Sequence, residues 1–124
     1  MDPVGRILIA EDQAGVAQPV INHLSGRGHD VRWVRAVREI RNELPDYRPD
    51  VLLLDVTLDT DGLEFFQAIR FAPECPPGGV VVLTEEGDVP MRERASQLGA
   101  AAVLPKPLNA DEVATVVEDL LALI

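Results

Sequence analysis

Five short apolar runs punctuate the chain, and a stretch with apolar positions at helical spacing follows each one. Arg6-Ile7-Leu8-Ile9-Ala10 predicts a short buried strand. From Gly15 to Arg27, Val16, Val20, Ile21 and Leu24 recur at near-helical spacing and predict a helix. Pro19 falls where it would delay the start of that helix or kink it, and Gly26 and Gly28 end it. His29 to Val34 alternates and predicts a second strand, and Ala36 to Leu44 predicts a short helix stopped before Pro45. Val51-Leu52-Leu53-Leu54 is apolar at every position, as in a central parallel strand covered on both faces. Gly62 to Ala72 predicts a helix with Leu63, Phe65, Phe66 and Ile69 turned inward. Val80-Val81-Val82-Leu83 and Ala101-Ala102-Val103-Leu104 predict the fourth and fifth strands. Between them Asp88 caps a helix that has Pro90 in its first turn and closes at Gly99. Asn109-Ala110-Asp111-Glu112 has the form of a capping box opening a last helix that runs to about Leu123.

Strict alternation of strand and helix, with no internal repeat and no linker, predicts one α/β domain over residues 1–124. The expected architecture is a (βα)5 three-layer sandwich around a five-stranded parallel sheet. Right-handed crossovers leave few topologies, and the flavodoxin-like strand order 2-1-3-4-5 is the natural one at this length. In such folds ligands bind beyond the carboxyl ends of the strands, where strands 1 and 3 meet.

Composition narrows the function classes. The 124 residues include 47% hydrophobic and 26% charged residues, the mix of an ordinary globular domain. No apolar run approaches the about 18 residues of a membrane span, and no signal-peptide core follows Met1, which predicts a cytoplasmic protein. A net charge of −10 disfavours direct nucleic-acid binding and suits a cation. One cysteine, Cys75, leaves no internal disulfide and no cysteine metal site. Ten of the 11 basic residues are Arg, so the single Lys106 stands out as a compact point charge.

The polar residues at the strand ends form a chemical set. Strand 1 runs into Glu11-Asp12, strand 3 into Asp55, strand 4 into Thr84, and Lys106-Pro107 follows strand 5. Each alone reads equally as a polar strand end or a turn residue. Together, three carboxylates at the switch point repel one another and would hold a divalent cation, Mg2+ being the natural choice. Aspartate can also be a nucleophile towards phosphorus, with a hydroxyl and an ammonium on the phosphoryl oxygens. The acids argue against a flavin-phosphate cradle, whose first loop should offer Gly, Ser or Thr.

This ordered set resembles the response-regulator receiver domain of two-component signalling. The resemblance covers essentially the whole chain. It rests on Glu11-Asp12, Asp55 closing an apolar strand, Asp61-Gly62-Leu63-Glu64 opening helix 3, Val80-Val81-Val82-Leu83-Thr84, and Gly99-Ala100 leading to Lys106-Pro107. It implies that Asp55 accepts a phosphoryl group from a sensor histidine kinase or phosphotransfer protein. It implies that Glu11, Asp12, Asp55 and the backbone carbonyl of Thr57 hold Mg2+, and that Thr84 and Lys106 grip the phosphoryl oxygens. It implies a cis Lys106–Pro107 peptide, output through the helix 4, strand 5 and helix 5 face to a partner or output domain, and a phosphorylation-dependent dimer. Such a domain is a signalling phosphoacceptor rather than an enzyme, acting either alone or as part of a longer regulator.

The chain departs from the family at the switch. The loop after Asp55 is one residue short, with Asp59 near the position where a Pro is usual. Glu85 follows Thr84 where a small residue is usual, Val103 replaces the usual ring on strand 5, and Pro105 precedes Lys106. These departures keep open a second reading, a protein-binding module of the same fold with weak or no phosphorylation. A small-ligand or redox domain would need a phosphate cradle or a second cysteine. Arg32, Arg35, Arg38 and Arg41 read as a solvated helix face paired with Glu39 and Glu43, with a basic docking stripe as the alternative. Trp33, on strand 2, is expected to lie away from the site.

Overall fold

A strand that is apolar on both sides must be covered on both sides, and the chain meets this demand with a helix after every strand. The computed structural model describes residues 3–60 and 62–124. Asp61 of the expected helix-3 opening lies outside the described residues, as do Met1 and Asp2. In chain order the elements are β1 (Arg6–Ala10), α1 (Ala14–Gly26), β2 (Asp30–Val34), α2 (Val37–Tyr47), β3 (Val51–Asp55), a 3-10 turn (Leu58–Thr60), α3 (Gly62–Ile69), β4 (Val80–Thr84), α4 (Val89–Gln97), β5 (Ala102–Pro105) and α5 (Ala110–Leu121). The sheet is parallel in the expected order β2-β1-β3-β4-β5.

All five residues of β3 and of β4 are buried. Alternate residues serve opposite faces. Leu8, Leu52, Leu54 and Val82 pack against Ile40, Phe65, Phe66 and Ala95 from α2, α3 and α4. Ile7, Ile9, Leu53, Val81 and Leu83 pack against Ala17, Leu24, Val113 and Val117 from α1 and α5. Three layers with two cores result.

Register decides what meets at the carboxyl edge. Ala10 pairs with Leu54, Asp55 with Leu83, and Thr84 with Pro105. Glu11, Asp55, Thr84 and Lys106 therefore emerge within two residues of one another along the strand axis, and the Lys106 amide donates to the Thr84 carbonyl at 2.8 Å.

Several boundaries differ from the sequence reading. Helix α1 starts at Ala14 and runs through Pro19, which forgoes only the bond its missing N–H would make to the Gly15 carbonyl. Helix α2 continues through Pro45 to Tyr47 instead of stopping at Leu44, and Arg48 closes it in the left-handed conformation (φ 51°) by donating to the Leu44 carbonyl. Proline close to a helix end removes one hydrogen bond, whereas the burial of Leu44 and Tyr47 favours the extra turn. Helix α3 ends at Ile69, short of Ala72, and β2 starts at Asp30, one residue late. The caps fall where expected: Asp88 accepts from the Met91 amide at 3.2 Å, and Asn109 from the Glu112 amide at 3.0 Å.

Gly62 shows how tightly helix α3 abuts the loop leaving β3. A Cβ there would lie 2.7 Å from the Asp55 carbonyl oxygen and from the Val56 backbone. Backbone cannot swing aside as a side-chain tip can. Gly62→Ala is expected to destabilise the fold by about 1–3 kcal/mol, read as a lower denaturation midpoint in urea. An unchanged midpoint would show that the helix can retreat from the loop.

Candidate functional site

Asp55, the last residue of β3, is only 2% exposed, and its two oxygens are engaged differently. Oδ1 accepts from the Thr57 amide at 2.9 Å and from the Thr57 hydroxyl at 2.7 Å. Oδ2 accepts from Lys106 Nζ at 3.1 Å. Asp55 is thus both the first residue of an Asx-turn and a buried carboxylate facing an ammonium, two readings that the bare sequence set against each other.

Glu11, just beyond β1, is fully buried. Its Oε1 accepts from the Gln13 amide at 3.2 Å and from Lys106 Nζ at 3.3 Å. Its Oε2 lies 3.2 Å from the same ammonium, outside hydrogen-bonding geometry. Asp12 is exposed, and one oxygen from each of Glu11, Asp12 and Asp55 lies within 4.8 Å of the others. Thr84, at the end of β4, is fully buried. Lys106 follows β5 on the amino side of a cis peptide to Pro107, as expected.

Crowded carboxylates with one ammonium between them divide the proton unequally. Burial, reinforced by the hydrogen bond and charge of Asp55, raises Glu11 to about 7 against the partial opposition of Lys106. Burial also opposes ionisation of Asp55, but hydrogen bonds from Glu11, Thr57 and Lys106 outweigh it and hold Asp55 below its ordinary value. Burial works against the charge on Lys106, and the two carboxylates overcome it and push its pKa up. Asp55 is therefore ionised at neutral pH and Lys106 charged, with Glu11 carrying the shared proton for much of the time.

Buried polar atoms are normally paired. With Glu11 ionised, three buried side-chain polar atoms among the described residues lack a hydrogen-bond partner: Glu11 Oε2, Thr84 Oγ1 and Arg92 Nε. Two of the three belong to this site. A buried carboxylate oxygen without a donor fits a cation, and a buried hydroxyl without a partner fits an oxyanion. The residues present thus suit the divalent ion implied by the sequence.

Other features of the site were not read from sequence. Trp33 is not remote: its indole N–H donates to the Glu11 carbonyl at 2.7 Å, so it contacts the backbone of a residue in the acidic cluster. Its reach across from β2 follows from the β1–β2 register, in which Trp33 pairs with Ile9. Asp59 adopts the left-handed conformation (φ 53°) and its carboxylate accepts from the Val37 amide at the start of α2, at 2.7 Å. Glu85, 55% exposed, places Oε1 at 3.6 Å from Lys106 Nζ. The Asp-x-Thr spacing of Asp55 and Thr57 was a legible turn signal, whereas the Trp33 and Asp59 contacts join distant segments and left none.

Three of the four arginines in the series are occupied internally. Arg32 pairs with Glu43 at 2.7 Å and lies over the Tyr47 ring, Arg35 lies over Trp33, and Arg41 over Phe65. Glu39 spends its carboxylate on the Arg35 amide at 3.2 Å. Among the described residues, no helix is long and apolar enough to cross a membrane.

Comparison with known proteins agrees with this geometry. The family model of the response regulator receiver domain matches residues 7–118. Response regulator MprA of Mycolicibacterium vanbaalenii is 32% identical over 87% of this chain, which spans 46% of that protein. The nitrogen assimilation regulatory protein NtrX of Azorhizobium caulinodans is 31% identical over 90% of the chain, which spans 25% of it. The chain therefore spans a half or less of these curated relatives. The signal receiver domain of a signal transduction histidine kinase from Syntrophus aciditrophicus superposes with a TM-score of 0.84 at 29% identity, covering 97% of this chain and 92% of that one.

The raised Glu11 pKa fixes the sign of a pH effect. The folded chain binds this proton more tightly than the unfolded chain, whose carboxyl titrates near 4.5. The resulting stabilisation is complete below that value and is lost as pH rises through about 7. Asp55, shifted down, acts in the opposite sense at acid pH and contributes nothing to this window. In chelator-containing buffer, the urea midpoint of the wild type is expected to fall between about pH 5 and pH 8. Glu11→Gln should flatten that fall, and an equally steep fall in the variant would assign it to other groups.

Proposed function

The chain belongs to the response regulator receiver family, and from that premise we propose that Asp55 is its phosphoacceptor. A sensor histidine kinase or a phosphotransfer protein supplies the phosphoryl group. An Asp55 carboxylate oxygen attacks phosphorus, the new P–O bond forms as the donor P–N bond breaks, and the electron pair stays with the imidazole nitrogen, which takes a proton. Lys106 pairs with the phosphoryl oxygens in place of the Asp55 oxygen it now contacts. The Thr84 hydroxyl, buried without a partner, donates to another of them. Glu11, Asp12, Asp55 and the Thr57 carbonyl would hold Mg2+, which neutralises phosphoryl charge when bound. The single observation that carries this reading is the pair of unpartnered buried oxygens, Glu11 Oε2 and Thr84 Oγ1, beside an ionised carboxylate.

Phosphorylation adds close to two negative charges to the rim and biases the surrounding loops. Output passes through the α4-β5-α5 face to a partner or an attached domain, with a phosphorylation-dependent dimer as one form of it. The domain acts in the cytoplasm as a signalling phosphoacceptor, its only chemistry being self-directed phosphoryl transfer and hydrolysis, and does not itself bind nucleic acid. Incubation with a small phosphodonor and Mg2+ is expected to add one phosphoryl mass to the wild type and none to Asp55→Asn. Absence of the gain in the wild type, or its survival in the variant, refutes the assignment.

One contact favours a tempered version of this activity. Glu85 shares the Lys106 ammonium that the phosphoryl group must use and adds a negative charge on the approach to Asp55. Glu85 itself is largely in water and sits at 3.6 Å, so the pair is worth little and the effect is one of rate. Glu85→Gln is expected to speed phosphorylation by the small donor about two- to five-fold, measured from the time course of mass gain. A rate unchanged or slower than wild type would exclude Glu85 as a brake. A protein-binding module without phosphorylation remains the second reading, and complete inertness of both proteins would favour it.

A further inference from the structure

The loop after Asp55 is one residue short where the family usually places a Pro, and the structure suggests what replaces that constraint. The loop is pinned at three points. Val56 and Leu58 are buried, 3% and 1% exposed, and Thr57 between them is exposed. Next comes Asp59, in a left-handed conformation that non-glycine residues seldom adopt and that Asp tolerates better than most. Its carboxylate does not turn back on its own loop. It accepts the Val37 amide of a different segment, 22 residues earlier, at 2.7 Å.

Helix α2 needs that acceptor. Its N-cap residue is Ala36, which has no side-chain oxygen, and no local side chain caps the helix. Glu39 is directed back to the Arg35 amide, ahead of the helix, and leaves the Val37 N–H unserved. A helix N-terminus attracts a carboxylate both as acceptor and as negative charge. Asp59 thus caps α2 in trans, from the loop whose Thr57 carbonyl the proposed metal site would use.

We propose that Asp59 is a positioning residue that ties the cation-binding loop to the N-terminus of α2, in place of the missing residue and proline. The cap fixes the turn two residues beyond the Thr57 carbonyl. Two linked elements must affect each other reciprocally. Occupation of the acidic cluster therefore tightens the cap on α2, and loss of the cap loosens the cluster's hold on the ion. Helix α2, not part of the usual output face, then senses the state of the site directly. The inference rests on the reading of Glu11, Asp12 and Asp55 as a magnesium site.

The test uses the 124-residue chain and Mg2+ alone, with Trp33 fluorescence for affinity and the Val37 amide NMR signal for the cap. Asp59→Gly removes the carboxylate while accepting the positive φ, so backbone strain does not confound it. Asp59→Asn keeps an acceptor oxygen and the left-handed conformation. Asp59→Gly is expected to weaken Mg2+ binding about three- to ten-fold, with Asp59→Asn recovering most of the loss. In the wild type, saturating Mg2+ should slow hydrogen exchange at Val37, and this response should vanish in Asp59→Gly. A wild type that binds Mg2+ while Asp59→Gly binds it within twofold, or one whose Val37 exchange ignores Mg2+, overturns the inference alone. A wild type with no Mg2+ response overturns the reading of the site and the inference with it.

Discussion

The ion pair between Lys106 and the buried Asp55–Glu11 carboxylates is the interaction on which the rest of the structure depends. Two buried acids, with a third exposed beside them, sit at the carboxyl edge of the sheet, and one ammonium touches both buried ones at 3.1–3.3 Å. Taking such charges out of water is costly unless each finds a partner. The fold brings the partners together by register rather than by local sequence. Glu11, Asp55, Thr84 and Lys106 come from four different strand ends, and only the parallel pairing of β1, β3, β4 and β5 aligns them. The two hydrophobic cores are thus more than ballast. They hold the strands in the one register that keeps the carboxylates beside the ammonium, since a slip of one residue would turn every side chain to the other face.

The pairing is incomplete, and the incompleteness is chemically directed. Burial, and a neighbouring carboxylate that one ammonium cannot fully offset, leave Glu11 with a proton to about pH 7, and one of its oxygens has no donor. The Thr84 hydroxyl is left without a partner on the other side. A core selected only for stability would satisfy or delete such groups. Their survival at the edge where ligands bind in this topology is what separates a reactive carboxylate from a structural ion pair. Lys106 is shared by Asp55, Glu11 and Glu85, and any group that takes its charge from one of them changes the balance of the others.

The strands and the site residues were legible because both signals are local. A continuous apolar run such as Val51 to Leu54 announces a doubly covered strand, and the carboxylate after it marks the strand end. The order of five such runs then constrains the topology, which in turn gathers the end residues. Helix ends were less legible. Pro45 signals a stop because local sterics disfavour continuation, and the tertiary burial of Leu44 and Tyr47 overrides it. The contacts that give the site its detail were not legible at all. Trp33 to the Glu11 carbonyl spans 22 positions, and so does Asp59 to the Val37 amide. Each joins a side chain to a backbone group, and backbone groups carry no sequence signal. For the same reason only the register of β2 against β1 reveals Trp33 beside the Glu11 carbonyl.

The short loop changes meaning in this light. By residue count it is a defect, one position missing and its proline gone. By contacts it is held at several points. Asp55 Oδ1 holds the Thr57 amide and hydroxyl, Leu58 is buried, Asp59 is bound to α2, and Gly62 abuts the Asp55 and Val56 backbone. One residue fewer is left to bridge β3 and α3, and a left-handed residue at Asp59 lets the shorter chain turn. The carboxylate freed by that turn then serves a helix whose own N-cap residue cannot serve it. The same aspartate that marks the departure from the family pattern is therefore the residue that makes the departure tolerable, and it does so by recruiting α2 into the structure of the site.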